Sequence, residues 1–231
     1  MNKITIAIDG FSSTGKSTIA KQLAKQLGYV YVDTGAMYRS VTLYAMENGL
    51  INNNDFNKEA LVYQLPSIQI SFEFNADLGF AEVYLNGINV EKKIRTLKVS
   101  GYVSQVAAVS EVRQKLVEQQ QKMGEDKGVV MDGRDIGTVV FPNAKLKVFM
   151  VASAETRAER RYKELINRGE HVNYEAVLKN VTDRDYIDTN RADSPLIKAD
   201  DAIEIDNSYL SLEEQFDKIL QLAIMAIEDY E

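Results

Sequence analysis

Eight consecutive residues near the start, Gly10-Phe11-Ser12-Ser13-Thr14-Gly15-Lys16-Ser17, have types and spacing suited to one kind of chemistry. They fit G-x-x-x-x-G-K-[ST], the pattern of a phosphate-binding loop. A polyphosphate carries dense negative charge and must be held against competition from water. Successive backbone N–H groups feeding a helix N-terminus provide fixed donors and a favourable dipole. Gly10 and Gly15 let the backbone wrap closely. Lys16 is placed to reach the β- and γ-phosphates of a nucleoside triphosphate, and the Ser17 hydroxyl to face Mg²⁺. An ordinary glycine-rich turn would need neither the lysine nor the hydroxyl.

Further candidates lie downstream. Asp9, Asp33 and Asp132 each fall at the end of an apolar run. Asp132, after Val129-Val130-Met131, resembles the acid that holds the water shell of Mg²⁺ in such loops. Asp9 reads as a strand-end or cap carboxylate. Of 10 arginines, seven lie between Arg134 and Arg191, whereas the 17 lysines are spread throughout. Arginine's fork suits bidentate phosphate contacts. Arg157 and Arg161 share a helix face with Arg168, a like-charge arrangement that a bound polyphosphate would relieve. Arg160 is expected to pair with Glu164. Arg184, Asp188 and Arg191 stand at i, i+4 and i+7, on a stripe that begins with Val177 and Val181. Solvated charge and a salt-bridge ladder are the plain alternatives for these two helices. His171 reads as a surface residue.

These residues need elements to position them. Ile4-Thr5-Ile6-Ala7-Ile8 reads as a buried strand before the loop. Thr18 to Leu27, with Ile19, Leu23 and Leu27 in step, reads as the helix after it. Gly28 caps that helix, and Tyr29 to Val32 is a second strand ending at Asp33. A helix from Ala36 to Asn48 buries Met37, Val41, Tyr44 and Ala45, and Asn52-Asn53-Asn54 is a loop. From Pro66 to Arg95 the period changes. Ile68, Ile70, Phe72 and Phe74 alternate with polar residues, as do Ala81, Val83 and Leu85, and Asn86-Gly87 signals a hairpin. Helices return from about Thr96, and Ser110 reads as an N-cap that separates Val99–Val109 from Glu111–Met123. Val129 to Asp132 and Leu146 to Val151 are strands. Ser153 opens a helix to Arg168, and another spans Tyr174 to Asp188. After a short strand at Ala202 to Ile205, Ser211-Leu212-Glu213-Glu214 is a capping box. It opens a helix whose stripe is Leu212, Phe216, Ile219, Leu220 and Ala223. Alternating strands and helices predict an α/β fold, a parallel sheet flanked by helices, with ligands at the C-terminal strand ends. A small antiparallel β insert at 66–95 and a helical arginine-rich lid at 155–170 are subregions of one domain, 1–231.

Composition narrows the function. The chain has 231 residues and a net charge of −7, which argues against a broad nucleic-acid surface. No apolar run approaches the roughly 20 residues of a membrane span. The N-terminus enters a strand at once, leaving no room for a signal peptide. There are no cysteines, which fits a reducing, cytoplasmic setting, and His171 is the single histidine. Thiolate and histidine-cluster metal sites are thereby excluded.

Taken together the motifs resemble the bacterial cytidylate kinase family of nucleoside monophosphate kinases, over essentially the whole chain. The resemblance rests on the phosphate loop, Asp33-Thr34-Gly35-Ala36-Met37-Tyr38-Arg39, Ser104-Gln105-Val106-Ala107 and Asp132-Gly133-Arg134-Asp135, and on the two arginine stretches. It implies transfer of the ATP γ-phosphoryl group to CMP or dCMP by a monomer, with Mg²⁺. Gly10 to Thr18, Arg157 and Arg161 would hold ATP. Lys16, Arg134, Arg157 and Arg161 would act in catalysis. Arg39 and Arg134 would hold the acceptor phosphate. Thr34, Arg113, Asp135 and Arg191 would read cytosine, and Ser104, Arg184 and Asp188 would contact the sugar; Tyr38 joins this acceptor set. Thr34 stands where many members have serine, and Ser13-Thr14 replace a commoner Gly-Ala pair. A kinase for another small acceptor is the alternative enzyme. A GTPase switch lacks its N-K-x-D and D-x-x-G strings, and acidity counts against a nucleic-acid motor.

Overall fold

The computed structural model describes residues 3–52, 55–77 and 79–230. In chain order the strands and helices begin with β1 (Thr5–Gly10), α1 (Lys16–Leu27), β2 (Val30–Asp33) and α2 (Thr34–Glu47). Next come β3 (Ile51–Asn52), β4 (Asp55–Phe56), α3 (Lys58–Gln64), β5 (Ile70–Asn75), β6 (Phe80–Leu85) and β7 (Ile88–Asn89). Then follow α4 (Leu97–Ala107), α5 (Ser110–Met123), β8 (Val129–Gly133) and β9 (Leu146–Val151). The chain closes with α6 (Ala154–Asn167), α7 (Tyr174–Asn190), β10 (Ile203–Asp206) and α8 (Leu212–Glu228). Cα packing divides it into two compact units, Met1–Thr34 with Gln119–Glu231, and Gly35–Glu118.

The first unit carries a five-stranded parallel sheet in the order β10-β9-β1-β8-β2. Strand β1 lies at its centre, so its two neighbours, β8 and β9, come from much later in the chain. A connection that leaves β1 and skips to β2 opens a crevice at the C-terminal strand ends, where ligands settle in such sheets. Asp33 and Ile8 both register with Asp132, and Asp9 with Gly133, so the three aspartates share that end. The sheet's apolar side packs Ile6, Ile8, Val130, Val148 and Met150 against Ile19 and Leu23 of α1 and Ile219 and Ala223 of α8. The α8 stripe is Gln215, Ile219, Ala223 and Ile227. Leu212, expected in it, is 55% exposed. It is the first helical residue, beside a formed capping box, and steps of four from Gln215 rotate the buried face away from it.

The second unit holds a three-stranded antiparallel sheet, β5-β6-β7. Val83 and Leu85 are buried as the alternation predicts, and Asn86 and Gly87 turn with positive φ, 49° and 80°. The expected β5 stripe fades along its length: Ile70 is buried, while Phe74 is 73% exposed. Ile68, Leu61, Met37, Val41 and Val103 are among the second unit's buried apolar residues. The loop expected at Asn52-Asn53-Asn54 begins instead as β3, and residues 53 and 54 lie outside the described residues.

Candidate active site

The loop leaves β1 through Gly10, whose φ is +140°. A Cβ there would lie 2.1 Å from the Met150 carbonyl oxygen, so no other residue fits beside β9. Gly15, at φ +93°, caps α1 in the left-handed conformation. Ser13 adopts φ +61° without being glycine, a strain of about 1–2 kcal/mol.

Lys16 is 4% exposed. Its ammonium donates to the Phe11 carbonyl at 2.5 Å and to Thr14 Oγ1 at 3.2 Å. Burial, then the charge of Arg134, holds Lys16 well below the usual lysine range; Arg184 acts in the same direction, against Asp132 and Asp9. Two arginines distant in sequence thus bear on the loop lysine. Ser17 Oγ donates to Asp132 Oδ2 at 2.8 Å, and the Tyr31 hydroxyl to Asp132 Oδ1, also at 2.8 Å. Burial and the neighbouring Asp33 raise the Asp132 carboxyl, opposed by Lys16 and these two hydroxyls. Thr34 Oγ1 donates to the Asp132 main-chain carbonyl at 2.7 Å.

Asp9 has the cap-like role expected of it, in an unexpected place. Its Oδ1 accepts from Ile136 N at 2.8 Å and its Oδ2 from Gly137 N at 2.7 Å. These bonds pin a π-helical turn, Ile136–Val140, immediately after Arg134-Asp135. Burial pushes the Asp9 carboxyl up to about 7, outweighing the two backbone donors. Below about pH 4 folded and unfolded states both hold the proton; between about pH 4 and 7 only the folded state does. This residue's contribution therefore declines as pH rises through that window, by up to roughly 4 kcal/mol. Asp9→Asn is expected to be less stable at low pH, because its amide faces an N–H, and to lack that decline. Urea unfolding of both proteins from pH 4 to 8 measures the difference; parallel curves would refute it.

Beyond Asp9, Arg134 Nε donates to Asp188 Oδ2 at 3.0 Å. Arg191 Nη2 stands 4.0 Å from Asp135 Oδ1, both residues being buried, and its Nε donates to the Ser194 carbonyl at 2.8 Å. Val177, Val181 and Asp188 are buried along α7, the predicted stripe. Arg157 is 4% exposed. It grips Asp185 with both terminal nitrogens, at 2.9 and 2.6 Å, and donates to the Ser12 carbonyl at 3.3 Å. Its guanidinium also lies 5.1 Å from the Phe11 ring centroid. Arg161 and Arg168 both pair with Glu164, at 2.8 and 2.5 Å, consistent with their shared face.

Arg160 departs from expectation. It does not pair with Glu164; it bonds Asn207, through both the side-chain and main-chain oxygens, and reaches the Thr14 carbonyl. Glu164, although on the same face four residues on, is taken by Arg161 and Arg168, and the Arg160 guanidinium reaches instead to the end of β10. Asn207, Asp185 and Tyr31 are the residues that sequence reasoning passed over. A polar residue directly after a strand was the signal for Asn207; Asp185, between Arg184 and the Asp188 face, gave a weaker one.

The second unit arranges its own candidates. Tyr38, Ser104 and Arg113 are buried and Arg39 half-buried. The Arg113 guanidinium lies 5.4 Å from the Tyr38 ring centroid and donates to the Ala107 carbonyl at 3.2 Å. His171 is exposed.

Residues 6–224 match the family described as cytidylate kinase. The chain is similar to the cytidylate kinase of Flavobacterium johnsoniae, 72% identical over 222 residues that cover 96% of each chain. It is 68% identical to that of Flavobacterium psychrophilum, over 96% of this chain and 98% of the relative. It is 56% identical to that of Bacteroides fragilis, over 93% and 94%. The matched span takes in the phosphate loop, the Asp132–Asp135 segment and both arginine-bearing helices, and the chain belongs to the cytidylate kinase family.

Proposed function

We propose that the protein transfers the γ-phosphoryl group of ATP to CMP or dCMP, giving ADP and the cytidine diphosphate. The observation that carries this reading is the match of residues 6–224 to the cytidylate kinase family, a span that holds the buried Lys16 of the phosphate loop and the Arg134–Asp188 pair. One anion-binding loop would serve a nucleotide alone; added arginines serve a second anion.

Gly10 to Thr18 hold the triphosphate through backbone N–H groups, and Lys16 leaves the Phe11 carbonyl for the transferred phosphoryl. Arg157 and Arg161 complete the donor side, and 155–170 acts as the lid that excludes water. Arg134 and Arg39 hold the acceptor phosphate. Asp135, Arg191, Thr34 and Arg113 read the base, and Ser104, Arg184, Asp188 and Tyr38 complete the acceptor set. The antiparallel sheet of the 66–95 segment belongs to the acceptor side. The nucleophile is a phosphate oxygen, already largely ionised at neutral pH because its second pKa is near ~6. No general base is required, and the residues' task is to align two mutually repelling anions for in-line transfer.

Mg²⁺ fits the residues present. The Ser17 hydroxyl points its proton at Asp132 and keeps its lone pairs, while Asp132 adds a hard oxygen fixed by Tyr31. Few protein oxygens and several from substrate is the usual manner of binding this ion. When bound it would neutralise charge between the β- and γ-phosphates. No helix among the described residues is long and apolar enough to cross a membrane. We place the enzyme in the cytoplasm, as a monomer in pyrimidine nucleotide metabolism with no nucleic-acid partner.

The test is ADP production from ATP across a panel of nucleoside monophosphates and without acceptor. CMP or dCMP is expected to be the best acceptor, with slow turnover in its absence. A faster different acceptor, or equal turnover without one, would refute the reading.

A further inference from the structure

Behind the phosphate loop, on the side where a Cβ of Gly15 would point, lies a buried amide cluster. Gln215 Oε1 and Asn207 Nδ2 are 3.8 and 4.0 Å from that Cβ position. Asn207 follows β10 and is fully buried, and Gln215 is 2% exposed. Asn207 Nδ2 donates to the Thr14 carbonyl and to Gln215 Oε1, each at 2.6 Å. Its Oδ1 accepts from Arg160 Nη1 at 3.1 Å, and its main-chain oxygen from Arg160 Nη2 at 2.8 Å. Its main-chain N–H donates to Val151 O at 2.9 Å. The amide orientations are fixed by chemistry. Gln215 Nε2 faces the Leu210 carbonyl at 2.9 Å, so its oxygen must face Asn207, and a guanidinium can only donate to the Asn207 oxygen.

We infer that Asn207, braced by Arg160 and Gln215, is a positioning residue for the phosphate loop: it holds the Thr14 carbonyl backward so that the next N–H faces the phosphates. In a trans peptide the carbonyl and the following N–H point in opposite directions. No cis peptide is present among the described residues. Anchoring the Thr14 oxygen at the rear therefore aims the Gly15 N–H forward. Arg157 acts alike on the Ser12 carbonyl, and through it on the Ser13 N–H. Without an anchor, a glycine-flanked peptide can rotate and present its carbonyl to an anion. The loop's donors are thus preset before ligand arrives, which removes an ordering cost from binding.

The inference rests on the reading of Gly10 to Ser17 as a polyphosphate site. Asn207→Asp is isosteric and turns two donors into lone pairs aimed at the Thr14 and Gln215 oxygens. Calorimetric titration of the full chain with inorganic tripolyphosphate, ATP and CMP provides the test. The variant is expected to lose at least about tenfold in affinity for tripolyphosphate and ATP, with CMP affinity kept within about twofold. Arg160→Met, a half-exposed position, is expected to lose a smaller factor of the same kind, and it decides the matter if Asn207→Asp does not fold. Unchanged tripolyphosphate binding, or an equal loss for CMP, would overturn the positioning role. Failure of the wild-type chain to bind tripolyphosphate or ATP would instead overturn the functional reading.

Discussion

Lys16→Met is expected to lower kcat by roughly 10³-fold or more while leaving the fold intact. Removing one fixed donor from developing transition-state charge already costs about 10²–10³, and Lys16 supplies a full charge. In the structure that charge is costly. Burial and nearby arginines disfavour the ammonium, which rests on the Phe11 carbonyl and Thr14 hydroxyl. A neutral, unbranched side chain one atom shorter relieves this cost, so thermal stability should be equal or higher. Activity and stability are expected to move in opposite directions, a signature that general damage does not give. Single-turnover phosphoryl transfer with a parallel thermal melt reads both. Activity within tenfold of wild type would remove Lys16 from the chemistry.

Asp135→Asn is expected to erode the choice of base. A carboxylate accepts from the cytosine N4 amino group and repels the oxygen that uracil carries there. The amide can donate as well as accept, so that repulsion vanishes. The ratio of kcat/KM for CMP over UMP should fall by on the order of 10–100-fold, the range of a single base-edge contact. Absolute activity with CMP should fall too, since the substitution removes the charge 4.0 Å from the buried Arg191 guanidinium. A panel assay with both acceptors measures the ratio. An unchanged ratio at near-normal activity would assign base reading elsewhere.

Much of the loop at Gly10 to Ser17 and its surroundings was legible in sequence because it is local. Gly10 to Ser17 form one stretch, flanked by a strand and a helix whose patterns are unambiguous, and Gly28, Ser153 and Ser211 cap as their types dictate. What escaped was set by contacts across the sheet. Ile136-Gly137-Thr138-Val139-Val140 has β-branched residues and no helical signal. It winds into a π turn because a carboxylate 127 residues earlier captures its first N–H. Arg160 was assigned to Glu164 by spacing alone, whereas its guanidinium bonds Asn207, 47 residues away. The strands β3 and β4 are two residues each, too short to show a period. Strand order likewise carries no local mark: β1 lies between β8 and β9 by topology alone.

The grip of Arg157 on Asp185 and Ser12 carries a further implication, for heredity. Three stretches far apart in the gene meet at one guanidinium. A change at 157 or 185 alone strands a largely buried charge, at a cost of about 3–5 kcal/mol. The two positions can therefore drift only by joint replacement. Chimeras of diverged relatives with a crossover between 158 and 184 would work only where both parents carry a compatible pair. Crossovers outside that interval escape the constraint.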